Sequence, residues 1–79
     1  MPLTLKQKQD LARDWCIINA EFINNNKKDR PKLRMCFLNY IDYLCKDGYI
    51  SQEDYQNFDF NPFSDANFDN TLALIEDYL

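Results

Sequence analysis

Histidine and valine are absent from this sequence of 79 residues, which has only one glycine and two serines. Histidine is the usual general base near neutral pH and the commonest zinc ligand, so most hydrolase designs are excluded. A single glycine also excludes the glycine-rich loops that bind phosphates. Ser51 and Ser64 stand where helices are predicted to begin, so we interpret them as helix caps rather than nucleophiles. We therefore expect no enzymatic activity, no cofactor and no metal.

One segment resembles half of a calcium site. Residues 47–54 match the second half of an EF-hand loop in their aspartate, their glycine and their final acid. Tyr43 and Cys45 fall where the first ligands would stand, and neither supplies the carboxylate that calcium needs. We interpret Gly48 instead as the left-handed residue that ends one helix, with Ser51 as the cap of the next.

The cellular setting is predicted from further absences. No apolar run approaches the roughly 20 residues of a membrane helix, and no apolar run follows the lysines near the N-terminus as in an export signal. The cysteines are odd in number and form no CxxC motif, which favours reduced thiols packed in a core. These are Cys16, Cys36 and Cys45. We expect a cytoplasmic protein.

Helical spacing of apolar residues recurs along the whole chain. The predicted helices cover about residues 4–25, 30–46, 51–58 and 64–79, and the third is barely two turns long. Their predicted N-caps are Thr4, Asp29, Ser51 and Ser64. No segment keeps the alternation of a β-strand. The sequence therefore predicts one all-α domain over residues 1–79, a small bundle of three longer helices and one short helix.

Charge is sorted along the chain. Residues 1–34 contain eight bases and four acids, whereas residues 35–79 contain one base, Lys46, and nine acids. The overall net charge of −4 hides this separation. We take the sorting as the main indication of function, because a concentrated negative surface attracts a positive partner.

The acidic half also contains many aromatic residues, so we predict a partner-binding surface there. Phe60 and Phe63 flank a proline and are expected to be partly exposed, as aromatic interface anchors are. If the last helix begins at Ser64, three of its acids lie within about 40° of one another and form a continuous edge. The predicted partner-binding residues are Glu53, Asp54, Asp59, Phe60, Phe63, Asp65, Asp69 and Glu76.

A basic cluster at residues 27–34 offers a different reading. Its five cations stand around the start of a predicted helix, where they can contact several phosphates. They are Lys27, Lys28, Arg30, Lys32 and Arg34. We favour a solvated loop over phosphate binding for this cluster, and pairing with the acidic half, within one chain or between copies, is a third alternative.

The leading hypothesis is a non-enzymatic inhibitor or antidote that occludes a basic surface of a partner protein, such as a nuclease or a nucleic-acid-binding complex. Phage-encoded anti-defence inhibitors and toxin-immunity proteins act in this way. The helix order long, long, short, long is similar to that of the immunity proteins of nuclease bacteriocins, in architecture alone and without their motif residues. The alternatives are a small nucleic-acid-binding regulator that uses the basic cluster and a structural subunit of a larger assembly.

Overall fold

The computed structural model describes residues 2–79, and this part of the chain contains five α-helices and no β-strand. The helices are α1 (Leu5–Ile18), α2 (Ala20–Asn25), α3 (Arg30–Lys46), α4 (Gln52–Gln56) and α5 (Phe68–Glu76). The predicted all-α fold is confirmed. None of these helices is long and apolar enough to cross a bilayer.

Three predicted helix starts are confirmed by their capping bonds. The Thr4 hydroxyl accepts a 3.1 Å bond from the Gln7 N–H, while the Gln7 side chain accepts a 2.9 Å bond from the Thr4 N–H. Asp29 caps α3, and the Ser51 hydroxyl caps α4 by accepting a 3.0 Å bond from the N–H of the third helical residue. Gly48 follows α3 with a φ of +82°, the left-handed conformation predicted for it.

The first predicted helix is in fact two helices. Asn19 separates α1 from α2, with φ of −106° and ψ of 23°. Its side-chain amide donates a 2.8 Å bond to the carbonyl of Trp15. Asparagine interrupts helices in this way because its side chain competes for backbone hydrogen bonds.

The last helix is shorter than predicted, since it begins at Phe68 rather than Ser64 and ends at Glu76 rather than at residue 79. Side chains of two asparagines hold the preceding residues in turns instead. The Asn61 side chain accepts a 2.9 Å bond from the Phe63 N–H, and the Asn67 amide donates to the carbonyl of Asn61 at 3.0 Å. These local bonds replace the helical ones, so Ser64 does not cap α5.

The core is centred on aromatic rings contributed by four parts of the chain. Trp15 of α1 meets Phe37 of α3 and Phe63 of the 62–67 turns edge to face, with ring centroids 5.7 and 5.9 Å apart. Phe58, just beyond α4, contacts Phe37 at 6.0 Å. Fully buried aliphatic side chains surround these rings: Ile23, Leu33, Ile41 and Ile75. α5 packs against α1 and α2, while α4 packs against α3.

Candidate protein-binding surface

Of the two phenylalanines predicted to be partly exposed anchors, Phe60 is partly exposed and Phe63 is not. Phe63 is completely buried and stacks edge-on against Trp15, so the expectation of its partial exposure is wrong. Phe60 is half-buried and packs against the core. The Thr71 hydroxyl of α5 donates a 2.7 Å hydrogen bond to the carbonyl oxygen of Pro62. This bond holds the residue before Phe63 against the helical bundle. Phe63 is therefore a core residue.

Asp54 is also turned inward. Only 6% of it is exposed, and its carboxylate accepts a 2.9 Å hydrogen bond from the backbone N–H of Leu3. This bond, together with those from Ser51 and the charge of Lys8, holds the pKa of Asp54 below its ordinary value despite burial. The carboxylate fastens the N-terminal segment to α4 and is not available to a partner, which corrects its predicted role.

Asp59 is paired with a lysine from the other half of the chain. Lys8 is buried, and its Nζ lies 3.2 Å from the Asp59 carboxylate and 2.8 Å from the carbonyl oxygen of Asn57. The hydrogen bond from Lys8 lowers the pKa of Asp59. The ammonium group also lies 5.9 Å from the centre of the Phe58 ring. Lys8 of α1 thus neutralises Asp59, one of the acids of the predicted partner-binding surface.

Asp65 is neutralised in a similar way by the basic cluster. Its carboxylate forms an ion pair with the guanidinium of Arg30, which also lies 5.6 Å from the centre of the Phe68 ring. Because α5 begins only at Phe68, Asp65 does not belong to the helical edge predicted with Asp69 and Glu76. The continuous acidic edge is therefore shortened to its last two members.

Glu53, Asp69 and Glu76 are exposed, as the predicted surface requires. They stand on helices with different neighbours, since Glu53 lies on α4 against α3, while Asp69 and Glu76 lie on α5 against α1 and α2. The eight predicted residues thus divide into three exposed acids, two ion-paired acids, the half-buried Phe60, and the buried Asp54 and Phe63.

Negative charge nevertheless dominates the surface. Of the 13 acids, four form ion pairs and one, Asp54, is buried. The other eight are exposed and have no cation within 4.0 Å among residues 2–79: Asp14, Glu21, Asp29, Asp47, Glu53, Asp69, Glu76 and Asp77.

The basic cluster is partly used within the fold. Besides the pairing of Arg30, Lys32 donates a 3.1 Å bond to the Asn26 side chain and lies over the Phe22 ring at 5.8 Å. The remaining members, Lys27, Lys28 and Arg34, are exposed and make no ion pair with the described residues. They form a small positive surface at the start of α3.

A groove of about 520 Å³ runs between the first half of α1 and the second half of α3. Its walls are mostly apolar, and both of its charged residues are acids, Asp10 and Asp14 of α1. The lining residues are Leu3, Gln7, Asp10, Leu11, Asp14, Tyr40, Leu44, Tyr49 and Ile50. Asp14 has no cation within 4.0 Å among residues 2–79, and Asp10 has only an exposed pair with Lys6. An apolar floor beside these carboxylates is suited to a ligand that is both apolar and cationic.

Three tyrosines add hydroxyl groups at this end of the molecule. Burial, and then the charge of Asp14, raises the pKa of Tyr40 above its ordinary value. Near the same end of α3, hydrogen bonding to Asp47 raises the pKa of Tyr43. Tyr49 lines the groove and is 71% exposed.

None of the residues that line this groove is among the partner-binding residues predicted from the sequence. Asp10 and Asp14 are four residues apart on one predicted helix, with Leu11 between them. That spacing places the two acids beside an apolar residue on one side of the helix. This pattern is the feature of the sequence that points to the groove. The partners from α3 come from residues about 30 positions later, and only tertiary packing brings them to the groove.

A second groove, of about 380 Å³, lies between α1 and α5. Its lining mixes apolar side chains with three side-chain amides, Asp10 and Arg13, and it includes Cys16. Burial raises the pKa of the Cys16 thiol to about 12, so this thiol is inert as a nucleophile. Cys36 and Cys45 are half-buried rather than fully in the core, and all three cysteines are free.

Residues 2–79 hold no cluster of three or more histidine, cysteine or acidic side chains arranged to bind a metal. Comparison with known proteins found no similar protein family, no similar curated protein and no similar solved structure. A function for this protein is therefore proposed from the chemistry of its surface alone.

Proposed function

We propose that this protein is a non-enzymatic inhibitor or antidote that binds a partner protein through its negative surface and occludes a basic, nucleic-acid-handling site. The observation that carries the proposal is that eight exposed acids have no cation within 4.0 Å among residues 2–79. Such a surface attracts a positive partner at long range and speeds their encounter. Phage-encoded anti-defence inhibitors and toxin-immunity proteins are the biological settings that this chemistry fits.

Charge separation within the fold supports the proposal. Helix α3 has 17 residues and is about 25 Å long at 1.5 Å per residue. The free cations of the basic cluster lie at its start, whereas Asp47 and Glu53 lie beyond its end. The Debye length is about 8 Å at physiological salt, which is much shorter than α3. The cations at the start of α3 therefore weaken the attraction of a basic partner to the acidic end only slightly. The acidic end is thus free to bind a basic surface.

The test is capture of partners from the source cell, and from a phage or plasmid resident in it, with the tagged protein. The first variant neutralises exposed acids through Glu53→Gln, Asp69→Asn and Glu76→Gln. A matched variant neutralises Lys27, Lys28 and Arg34. We expect the captured partner to be a basic protein that is lost in the acid variant and at high salt, and retained in the base variant. Capture that is insensitive to the acid variant and to salt contradicts the proposal.

The second candidate is a small nucleic-acid-binding regulator, favoured by the three exposed cations that form no ion pair. A gel shift at low salt separates the two candidates. The inhibitor proposal expects no shift of DNA or RNA. The regulator expects a shift that disappears when Lys27, Lys28 and Arg34 are neutralised. A structural-subunit role instead expects obligate oligomers in sedimentation.

A further inference from the structure

We propose that the groove between α1 and α3 is a docking site for a basic amphipathic helix of the partner protein. This inference rests on the proposed function and names the part of the surface, and the class of segment, through which binding occurs. In this groove an apolar floor and exposed aromatic area lie beside two carboxylates, of which Asp14 has no cation within 4.0 Å among residues 2–79 and Asp10 has only an exposed pair with Lys6.

The floor supplies the affinity. Leu11 of α1 and Leu44 of α3 line the groove together with Tyr40 and Tyr49. Tyrosine is enriched among the residues that dominate protein interfaces, because it combines a large apolar ring with a polar hydroxyl. A helix that places an apolar stripe into a groove is a recurring mode of peptide recognition.

The rim supplies the charge selectivity. Asp14 is exposed and has no cation within 4.0 Å among residues 2–79, and Asp10 makes only a 3.7 Å exposed pair with Lys6. An exposed pair of that kind stabilises by at most about 1 kcal/mol and is easily exchanged for another cation. No lysine or arginine lines the groove. An acidic or neutral helix would leave both carboxylates uncompensated.

The spacing of the rim acids favours a helix as the occupant. Asp10 and Asp14 are one helical turn apart, about 6 Å along α1. Two cations four residues apart on a second helix have the same spacing. Lysine and arginine stems can lie along the apolar walls while their charged ends reach the aspartates.

The direct test uses two synthetic helical peptides of about 18 residues, long enough to hold a helix. One carries a leucine stripe flanked by lysines, and the other has glutamate in place of every lysine. Binding to the full protein is measured by calorimetry, and the contact site is mapped by amide chemical shifts. We expect the lysine peptide alone to bind and to shift the signals of Leu11, Asp14, Tyr40 and Tyr49.

Variants then assign the site. We expect Asp10→Asn with Asp14→Asn, and separately Tyr49→Ser, to weaken binding about tenfold or more, as for central interface residues. The matched charge control is Glu21→Gln with Asp77→Asn, two exposed acids that lie outside the groove and outside the predicted partner-binding residues. The matched apolar control is Leu38→Ser, an exposed residue of α3 outside the groove. We expect both matched controls to bind as the native protein does. A separate α5 control, Asp69→Asn with Glu76→Gln, tests whether the peptide binds the exposed acids of that helix instead.

Three results overturn the inference. If the lysine peptide shifts α5 instead and the α5 control loses binding, the groove is the wrong site while the acidic-surface proposal stands. If lysine and glutamate peptides bind alike and salt has no effect, both proposals fail. If sedimentation finds self-association that Asp14→Asn and Tyr49→Ser abolish, the occupant of the groove is a second copy of this chain.

Discussion

Lys8 of α1 donates a 2.8 Å hydrogen bond from its Nζ to the backbone carbonyl oxygen of Asn57, just beyond α4. The side chain is buried, so this charge-assisted bond joins two segments 49 residues apart in the chain. This hydrogen bond explains why the side chain of Lys8 is buried, although lysines usually lie at the surface.

Replacement of this lysine is the first prediction. We expect Lys8→Met to lower the free energy of unfolding by about 1.5–3 kcal/mol, because it removes a hydrogen bond from a charged donor and leaves a carbonyl unpaired. Urea denaturation measures the change. The control Lys6→Met removes an exposed lysine and should alter stability by at most about 0.5 kcal/mol. Equal effects of the two variants would contradict the structural role of Lys8.

The second prediction concerns acid stability and Asp54. Its folded pKa is lowered, first by the bond from the Leu3 N–H, so it stabilises the fold above its unfolded pKa of about 3.9. That contribution is lost as the pH falls from there through the lowered folded pKa. We expect Asp54→Asn to be less stable at pH 7 and to lose less stability than the native protein between pH 7 and pH 3, in thermal unfolding followed by circular dichroism.

Hydrogen exchange supplies the local control for Asp54. We expect the Leu3 amide to lose its protection in Asp54→Asn and to keep it in Glu53→Gln, which changes the exposed neighbour on α4. Unchanged protection in Asp54→Asn would mean that the carboxylate does not hold the N-terminal segment.

The third prediction compares the stability lost on removing a buried aromatic ring with that lost on removing an exposed one. Phe63 is completely buried, so we expect Phe63→Ala to cost about 3–5 kcal/mol. A chain of this size has a total stability of about 4–12 kcal/mol, so the variant should be close to unfolding. Tyr49→Ala removes a ring that is 71% exposed and should cost about 0.5 kcal/mol or less. Chemical denaturation compares them, and similar costs would contradict this assignment.

The fourth prediction tests the helix end at Gly48. A Cβ atom added there would meet nothing within 4 Å, so a substitution acts through the backbone alone. At a φ of +82°, we expect Gly48→Ala to cost about 1–2 kcal/mol. Gly48→Asn should cost less, because asparagine enters the left-handed region more readily. Equilibrium unfolding of both variants checks the order, and the opposite order would contradict it.

Local signals account for the parts of the fold that the sequence predicted. Thr4, Asp29 and Ser51 cap their helices because a side-chain oxygen needs only a backbone N–H within the next turn. The helical periodicity of α3 is likewise a local pattern, and its predicted bounds agree with the structure. The break at Asn19 and the late start of α5 were missed because they depend on competing side-chain bonds that periodicity does not register.

The sequence by itself determined the all-α fold, most helix boundaries and the excess of acids in the second half, because these follow from composition and short-range spacing. Only the tertiary structure decided which charges remain free. Lys8 reaches Asp59 and Arg30 reaches Asp65 across gaps of 51 and 35 residues, and Phe63 turns into the core. Contacts of that range depend on how the helices pack, and the same packing forms the acidic groove between α1 and α3.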